Sequence, residues 1–302
     1  MKFVTFQKED GSIRAGWMKN DQFVIDMHEA SNGVLPKDML SFVENHTFFL
    51  NYLSSLSDNE KGVYSLENVL LNAPLPNPRS FRDFYAFEEH VKTARESRGL
   101  EMMPEWYDIP VFYYSNHLAI KGPNEAIVRP KQCNWLDYEL EIACVIGKEG
   151  MNIKAENADE YIFGYCILND WSARDIQRKE MKVGLGPAKG KDFATTIGPY
   201  LVSKDELEEY RVENGYDLTM TAKVNNVLLS EGNMRDIYYS FAEMIERASD
   251  GVNLYPGDLI GSGTVGSGCI LELGTDVHRW LEPGDEVELE ITALGSLKNT
   301  II

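Results

Sequence analysis

The feature that most constrains this chain is Leu136-Asp137-Tyr138-Glu139-Leu140-Glu141-Ile142-Ala143-Cys144-Val145-Ile146-Gly147. Its second half is an unbroken apolar run of β-branched and small residues closed by a glycine, the pattern of a buried strand. Glu139 and Glu141 stand two residues apart just before that run. On a strand, positions i and i+2 share a face, so both carboxylates point the same way beside core residues. Buried carboxylates without partners are costly, and two together raise one another's pKa. A hard cation relieves both problems, because carboxylate oxygens are the ligands Mg²⁺ and Ca²⁺ prefer. The structural alternative is a solvated edge strand carrying two surface glutamates.

A length of 302 residues allows one large domain or two ordinary ones. The formal charge is −19, from 29 basic and 48 acidic residues. That balance argues against nucleic-acid and anionic-membrane partners, which attract basic surfaces. It also requires that an anionic substrate be met by a local cluster of Arg, Lys or metal. The first ten residues turn charged too soon for a signal peptide, and no apolar run approaches membrane-spanning length. Cys133, Cys144, Cys166 and Cys269 are far apart, with no paired metal spacing. The expectation is a reduced, cytoplasmic protein.

Short strands are expected at 2–7, 13–18 and 23–26, with turns at Asp10-Gly11 and Asn20-Asp21, followed by a helix over 36–53. His28 and His46 read as surface or structural. Three prolines in Pro74-Leu75-Pro76-Asn77-Pro78 favour an extended linker. They divide the chain into a small β-rich N-terminal domain, 1–72, and a larger domain, 73–302. Beyond the linker, 90–98 reads as a polar helix or mobile loop able to cover a site. An apolar strand ends at Asp170, which either delivers a ligand into a pocket or caps the following turn. In that turn Arg174 and Gln177 share a face. The glycine-rich stretch 184–199 lacks the spacing of a nucleotide-binding loop, though Lys191 within it could meet an anion. A hairpin turning at Asn225-Asn226 is expected over 218–228. Asn233 would cap a helix whose stripe of Met234, Ile237, Phe241, Met244, Ile245 and Ala248 is core. Strands follow at 258–263, 269–273 and 287–291, with a flexible glycine loop over 261–268.

Asp83, Glu139, Glu141 and Asp170 thus lie at or near predicted strand ends. Around them stand Asp83-Phe84-Tyr85 with His90 seven residues after Asp83, the Leu136–Glu141 stretch, and Asn169-Asp170-Trp171-Ser172-Ala173-Arg174-Asp175-Ile176-Gln177. Gly190-Lys191-Asp192-Phe193, Ser262-Gly263-Thr264 and Gly284-Asp285-Glu286-Val287 complete the order. This series resembles the fumarylacetoacetate hydrolase family, from about residue 70 onward.

The resemblance implies an α+β, β-rich fold, a mixed β-sandwich roll behind the small N-terminal domain, in a homodimer. It implies one Mg²⁺, Ca²⁺ or Mn²⁺ held by Asp83, Glu139, Glu141 and Asp170. It gives His90 as general base, Glu272 as its orienting partner, and Arg174, Gln177 and Lys191 as oxyanion-stabilising groups. Tyr113 and Thr264 would be substrate contacts, and Arg98 an approximate counterpart of the family's lid arginine. The implied activity is hydrolysis of the C–C bond of a small anionic β-diketo acid, such as fumarylacetoacetate or another acylpyruvate, in aromatic catabolism. The alternative is a decarboxylase or isomerase of the same family, acting on oxaloacetate or a homoprotocatechuate-pathway intermediate. The same metal enolate serves both chemistries.

Overall fold

The computed structural model of the chain describes residues 1–56, 61–97 and 99–302. Arg98 therefore lies outside the described residues. The chain opens with an antiparallel meander of β1 (Lys2–Gln7), β2 (Ile13–Lys19) and β3 (Phe23–Asp26). Asn20 and Asp21 take φ of 54° and 53°, the left-handed geometry a tight hairpin needs. The expected helix over 36–53 is broken. After the short α1 (Met27–Ala30) come α2 (Met39–Glu44) and α3 (His46–Ser55), separated at Asn45. Asp38 starts α2 by accepting the Ser41 N–H at 2.9 Å, which is why the helix begins beyond Pro36. His28 and His46 each bond a nearby carbonyl through Nδ1 and are structural.

β4 (Val63–Ser65) and β5 (Leu70–Asn72) precede the proline segment. That segment is packed rather than free: Ala73, Pro74 and Leu75 are buried, and Thr5 Oγ1 donates to the Pro74 carbonyl at 2.8 Å. Next come β6 (Phe81–Phe84), α4 (Glu88–Glu96), α5 (Pro104–Asp108), β7 (Phe112–Tyr114) and β8 (Ile120–Lys121). The stretch over 136–147 splits into β9 (Leu136–Asp137) and β10 (Leu140–Ile146). β11 (Ile162–Asp170), β12 (Ser172–Ala173), α6 (Arg174–Met181) and β13 (Thr195–Ser203) follow. The rest contains β14 (Arg211–Val212), β15 (Gly215–Tyr216), β16 (Thr219–Val224), β17 (Val227–Asn233), α7 (Phe241–Ala248), β18 (Leu259–Gly261), α8 (Ile270–Leu273), β19 (Glu286–Ile291) and β20 (Gly295–Thr300).

The large sheet runs β4-β3-β2-β1-β13-β11-β10-β18-β6-β7, with β5 beside β1 and β8 beside β13. It is mostly antiparallel; the β18–β6 and β13–β8 pairs are parallel. The sheet does not stop at residue 72, because Lys2 and Phe3 of β1 pair with Val202 and Leu201 of β13. A second, antiparallel sheet, β17-β16-β19-β20, covers one face of the first.

β10 explains the layering. Leu140, Ile142, Cys144 and Ile146 face the second sheet, among Met220, Ala222, Leu289 and Ile291. Ala143 and Val145 face the opposite layer, where Phe3, Met39 and Phe42 pack. Every residue of β10 is buried, as an unbroken apolar run requires. Each fully buried Leu, Ile or Val contributes up to about 1.5–3 kcal/mol.

Several expectations change in detail. Asn225 and Asn226 do form the β16–β17 turn, at φ of 51° and 65°. The stripe from Met234 to Ala248 is core, but the helix begins only after Ser240, whose capping box with Glu243 sets its start. Asn233 instead caps a single 3₁₀ turn. The segment expected as a strand over 269–273 is the one-turn α8.

Candidate active site at the ends of the central strands

Adjacent strands β11, β10, β18 and β6 bring Asp170, Glu141, Gly261 and Asp83 to one end of the large sheet. The glycine makes the cluster possible. A Cβ on Gly261 would lie 2.3 Å from Asp83 Oδ1 and 3.3 Å from Glu141 Oε2. The side chain absent from the intervening strand is the space in which the carboxylates meet. One oxygen from each of Asp83, Glu141 and Asp170 lies within 4.8 Å of the others, and all three residues are buried.

Burial pushes the Asp83 and Glu141 carboxyls well above their ordinary range, and Asp170 beside Asp83 and Asp83 beside Glu141 push further. Burial likewise raises Asp170 against the pull of Lys191. Asp83 Oδ1 and Asp170 Oδ1 are buried without a hydrogen-bond partner. Buried carboxylate oxygens with no donor are the donor set of a hard divalent cation, so the residues fit Mg²⁺, Mn²⁺ or Ca²⁺.

Glu139, expected as the fourth ligand, lies beside this triad, where its charge acts on all three acids, and its own oxygens are engaged by cations. It lies in the break between β9 and β10, with its backbone N–H on Asn169 Oδ1 at 3.0 Å. Its carboxylate accepts Arg174 Nη2 at 2.8 Å and also pairs with Lys191 Nζ. Burial opposes its ionisation, but Arg174 and Lys191 overcome that and hold it below the usual carboxylate range. Lys191 also donates to Asp170 Oδ2 at 2.6 Å and so bridges the two acids. Despite burial, those carboxylates keep the ammonium protonated well above its ordinary pKa.

Lys191 is placed by its loop. Glu180, near the end of α6, accepts the N–H groups of Ala188 at 2.9 Å, Lys189 at 2.7 Å and Gly190 at 3.1 Å. Asp170 does not cap α6, whose N-cap is Ala173. Gln177 Oε1 accepts Arg174 Nη1 at 3.2 Å. Tyr113, expected to touch substrate, donates its hydroxyl to Asp170 Oδ2. Thr264 Oγ1 lies 3.4 Å from Glu141 Oε1. Both therefore contact cluster carboxylates. A cavity of 280 Å³ opens beside Lys191, between Tyr113–Asn116 and Pro187–Asp192. A larger one of 490 Å³ lies elsewhere, against α7, and contains none of these residues.

A second group sits close by. His90, on α4, presents Nδ1 to Glu272 Oε1 of α8 at 2.5 Å, and both side chains are buried. A carboxylate at Nδ1 fixes the proton there and leaves the lone pair on Nε2. The Tyr85 ring packs edge-on against the imidazole at 5.2 Å. When protonated, His90 is close enough to Glu139 for its charge to favour that carboxylate.

The segment over 261–268 joins the two groups and is packed, not flexible. Gly263 donates its N–H to Glu141 Oε2 at 3.2 Å, and Ser267 donates to Glu272 Oε2 at 2.9 Å. Gly263 has φ +76° and lies against the Phe84 carbonyl; Gly266 lies against Glu89. The glycines permit close approach.

Asp137 was missed. It is fully buried and accepts from Arg174 Nε at 2.9 Å and from the N–H groups of Ile270 at 2.8 Å and Leu271 at 3.1 Å. The available signal was its strand parity with Glu139 and Glu141.

The model of the family described as fumarylacetoacetate (FAA) hydrolase C-terminal matches residues 79–302. The chain is 28% identical to oxaloacetate tautomerase YisK of Bacillus subtilis (strain 168), over 100% of both chains. It is 31% identical to the mitochondrial oxaloacetate tautomerase fahd2 of Xenopus laevis, over 100% of this chain and 90% of that one. The solved structure of fumarylacetoacetate hydrolase from psychrophilic Exiguobacterium antarcticum is similar at TM-score 0.80 and 25% identity. It covers 100% of this chain and 99% of that one.

Proposed function

This chain belongs to the fumarylacetoacetate hydrolase family, and on that premise we propose that it interconverts the keto and enol forms of a small anionic 2-oxo acid, oxaloacetate being the first to test. Two relatives matched along the whole chain are oxaloacetate tautomerases, which supports isomerisation over C–C hydrolysis. The observation that carries the chemistry is the buried His90–Glu272 pair beside a triad of carboxylates with partnerless oxygens.

Asp83, Glu141 and Asp170, with Glu139 beside them, would hold a divalent cation, which would supply Lewis acidity to the bound 2-oxo acid. In ketonisation, Nε2 of the protonated His90 imidazole gives its proton to C3. The enol oxygen releases its own proton to water, which returns one to Nε2, so no carbon–oxygen bond to water forms. Glu272 keeps the imidazole in one tautomer and balances its charge. Lys191, at the cavity wall, sets a positive charge toward the substrate's oxygens. Arg174, oriented by Asp137 and Gln177, keeps Glu139 ionised. Tyr113 and Thr264 orient the carboxylates they touch. A homodimeric cytoplasmic enzyme without nucleic-acid or membrane partners completes the reading; among the described residues no helix is long and apolar enough to cross a membrane.

The test is ultraviolet decay of enol-oxaloacetate with Mg²⁺ or Mn²⁺, run beside assays for carbon dioxide and for acylpyruvate cleavage. Accelerated ketonisation that His90→Ala abolishes is the expected result. CO₂ release would instead indicate the decarboxylase. The hydrolase reading has its own support, since the same pair could draw a proton from water and since one similar structure is a fumarylacetoacetate hydrolase. Acylpyruvate cleavage without faster ketonisation would establish it and overturn the tautomerase.

A further inference from the structure

Cys269 is the N-cap residue of α8, three positions before Glu272, and is fully buried. Its thiol donates to Glu272 Oε1 at 3.4 Å, the same oxygen that holds His90 Nδ1 at 2.5 Å. Burial pushes the thiol pKa well above its ordinary value, with Asp137 adding to the effect, so the group is a neutral S–H donor. Cys144 and Cys166 are buried in the apolar core and Cys133 neighbours Asp175; Cys269 is aimed at the carboxylate that holds His90.

We propose that Cys269 is a positioning residue for the acid–base pair, its S–H bond setting how strongly Glu272 draws the proton of His90. The inference rests on the reading of His90 as the acid–base group. Oε1 shares its negative charge between two donors. Each withdraws electron density from the oxygen, so the thiol weakens the hold of Glu272 on the Nδ1 proton. Other groups face the pair as well. Ser267 N–H holds the second Glu272 oxygen. The Tyr85 ring edge and the Glu139 charge act on His90. Asp137, Arg174 and Glu139 surround the thiol, and Glu89 of α4 lies against Gly266. Comparing Cys269→Ala with Cys269→Ser, which differ by a hydrogen-bond donor, separates the donor's contribution from theirs.

The experiment is an NMR titration of His90 in metal-free wild type, Cys269→Ala, Cys269→Ser and Glu272→Gln, read beside the pH profile of kcat. Cys269→Ala removes the donor and should raise the His90 midpoint by about half a pH unit, a fraction of one neutral hydrogen bond. The acid limb of kcat should move by the same amount. Cys269→Ser restores a donor and should return both toward wild type. Glu272→Gln removes the carboxylate charge and should lower the midpoint. A merely structural cysteine would lower kcat equally at every pH and leave the midpoint in place, which overturns the inference. If Cys269→Ala fails to fold, Cys269→Val takes its place, because it removes the donor while keeping the space filled. A wild-type midpoint and acid limb in that variant overturn the inference equally. If His90→Ala stays active, the functional reading fails separately, while the midpoint shift still reports on the thiol.

Discussion

Asp137 and Ile270 stand 133 positions apart, yet the Asp137 carboxylate accepts the Ile270 backbone N–H at 2.8 Å. The same group holds Leu271 N–H and Arg174 Nε. One buried acid therefore fixes both the start of the helix bearing Glu272 and the guanidinium facing Glu139. Burial raises its pKa, with Arg174 opposing that rise. Asp137→Asn should destabilise the fold by about 2–4 kcal/mol, the range for breaking a buried ion pair. It should also lower turnover without altering the residues assigned to substrate. Urea unfolding and steady-state kinetics check this, and wild-type values in both would refute it.

Lys191 bridges Glu139 and Asp170 from a buried position. Lys191→Met leaves both acids without that cation. The metal-free variant should lose about 3 kcal/mol of stability, and added Mg²⁺ should recover part of it. Thermal melts with and without the ion provide the measurement; an unchanged melting temperature would contradict the bridge.

The acid triad predicts a pH-dependent response to metal. Asp83 and Glu141 have pKa values raised above those of the unfolded chain. Their contribution to stability is present below the unfolded carboxyl values and is lost as pH rises through the folded ones. A divalent cation binds the ionised forms and offsets that loss. Its stabilisation should therefore be larger at about pH 8 than at about pH 5, with protons released on binding. Calorimetry in buffers of different ionisation enthalpy reads the proton count. Equal melting shifts at both pH values would exclude these carboxyls as the binding groups.

Gly261→Ala would set a methyl carbon 2.3 Å from Asp83 Oδ1. Overpacking of this kind costs about 1–3 kcal/mol. Metal affinity should fall at least about tenfold, the loss that about 1.4 kcal/mol represents. Isothermal titration with Mn²⁺ tests this, and wild-type affinity would show that the strand moves aside.

Asp285 offers a test away from the site. Burial would raise its carboxyl, but Arg279, the Asn225 amide and the Glu282 N–H hold it down to about 2. Its stabilisation is full above the unfolded value and disappears as pH falls toward the folded one. Asp285→Asn should cost up to about 2 kcal/mol at neutral pH and little near about pH 2. Denaturant curves across that range would reveal a constant difference if the pairing contributed nothing.

Local pattern carried much of the fold. The opening meander, the twice-covered β10 and the Asn225-Asn226 turn follow from alternation, burial and left-handed asparagines, all short-range properties. The broken helix at Asn45, the delayed start of α7 and the helical α8 depend on capping contacts that periodicity does not contain. At the site, strand ends bring together Asp83, Glu141 and Asp170, and His90 meets Glu272, a pairing implied by resemblance. Glu139, beside them in the break between β9 and β10, is paired with Arg174 and Lys191. Asp137 was missed although its strand parity with Glu139 and Glu141 was visible, because two of its three partners are backbone groups on α8, contacts a sequence does not show.

The pairing of Lys2 and Phe3 with Val202 and Leu201 has a consequence for biosynthesis. β5 can cover Thr5, Phe6 and Gln7 once residue 72 is made. The first half of β1 has no such early partner. At about 5–20 residues per second, the ribosome delivers its strand neighbour roughly 10–40 s later. Phe3, wholly buried in the finished protein, spends that interval beside an open sheet edge. Until β13 is made, that edge is open to pairing with any other strand within reach, so the order of synthesis leaves the closing of the large sheet to one of its later strands.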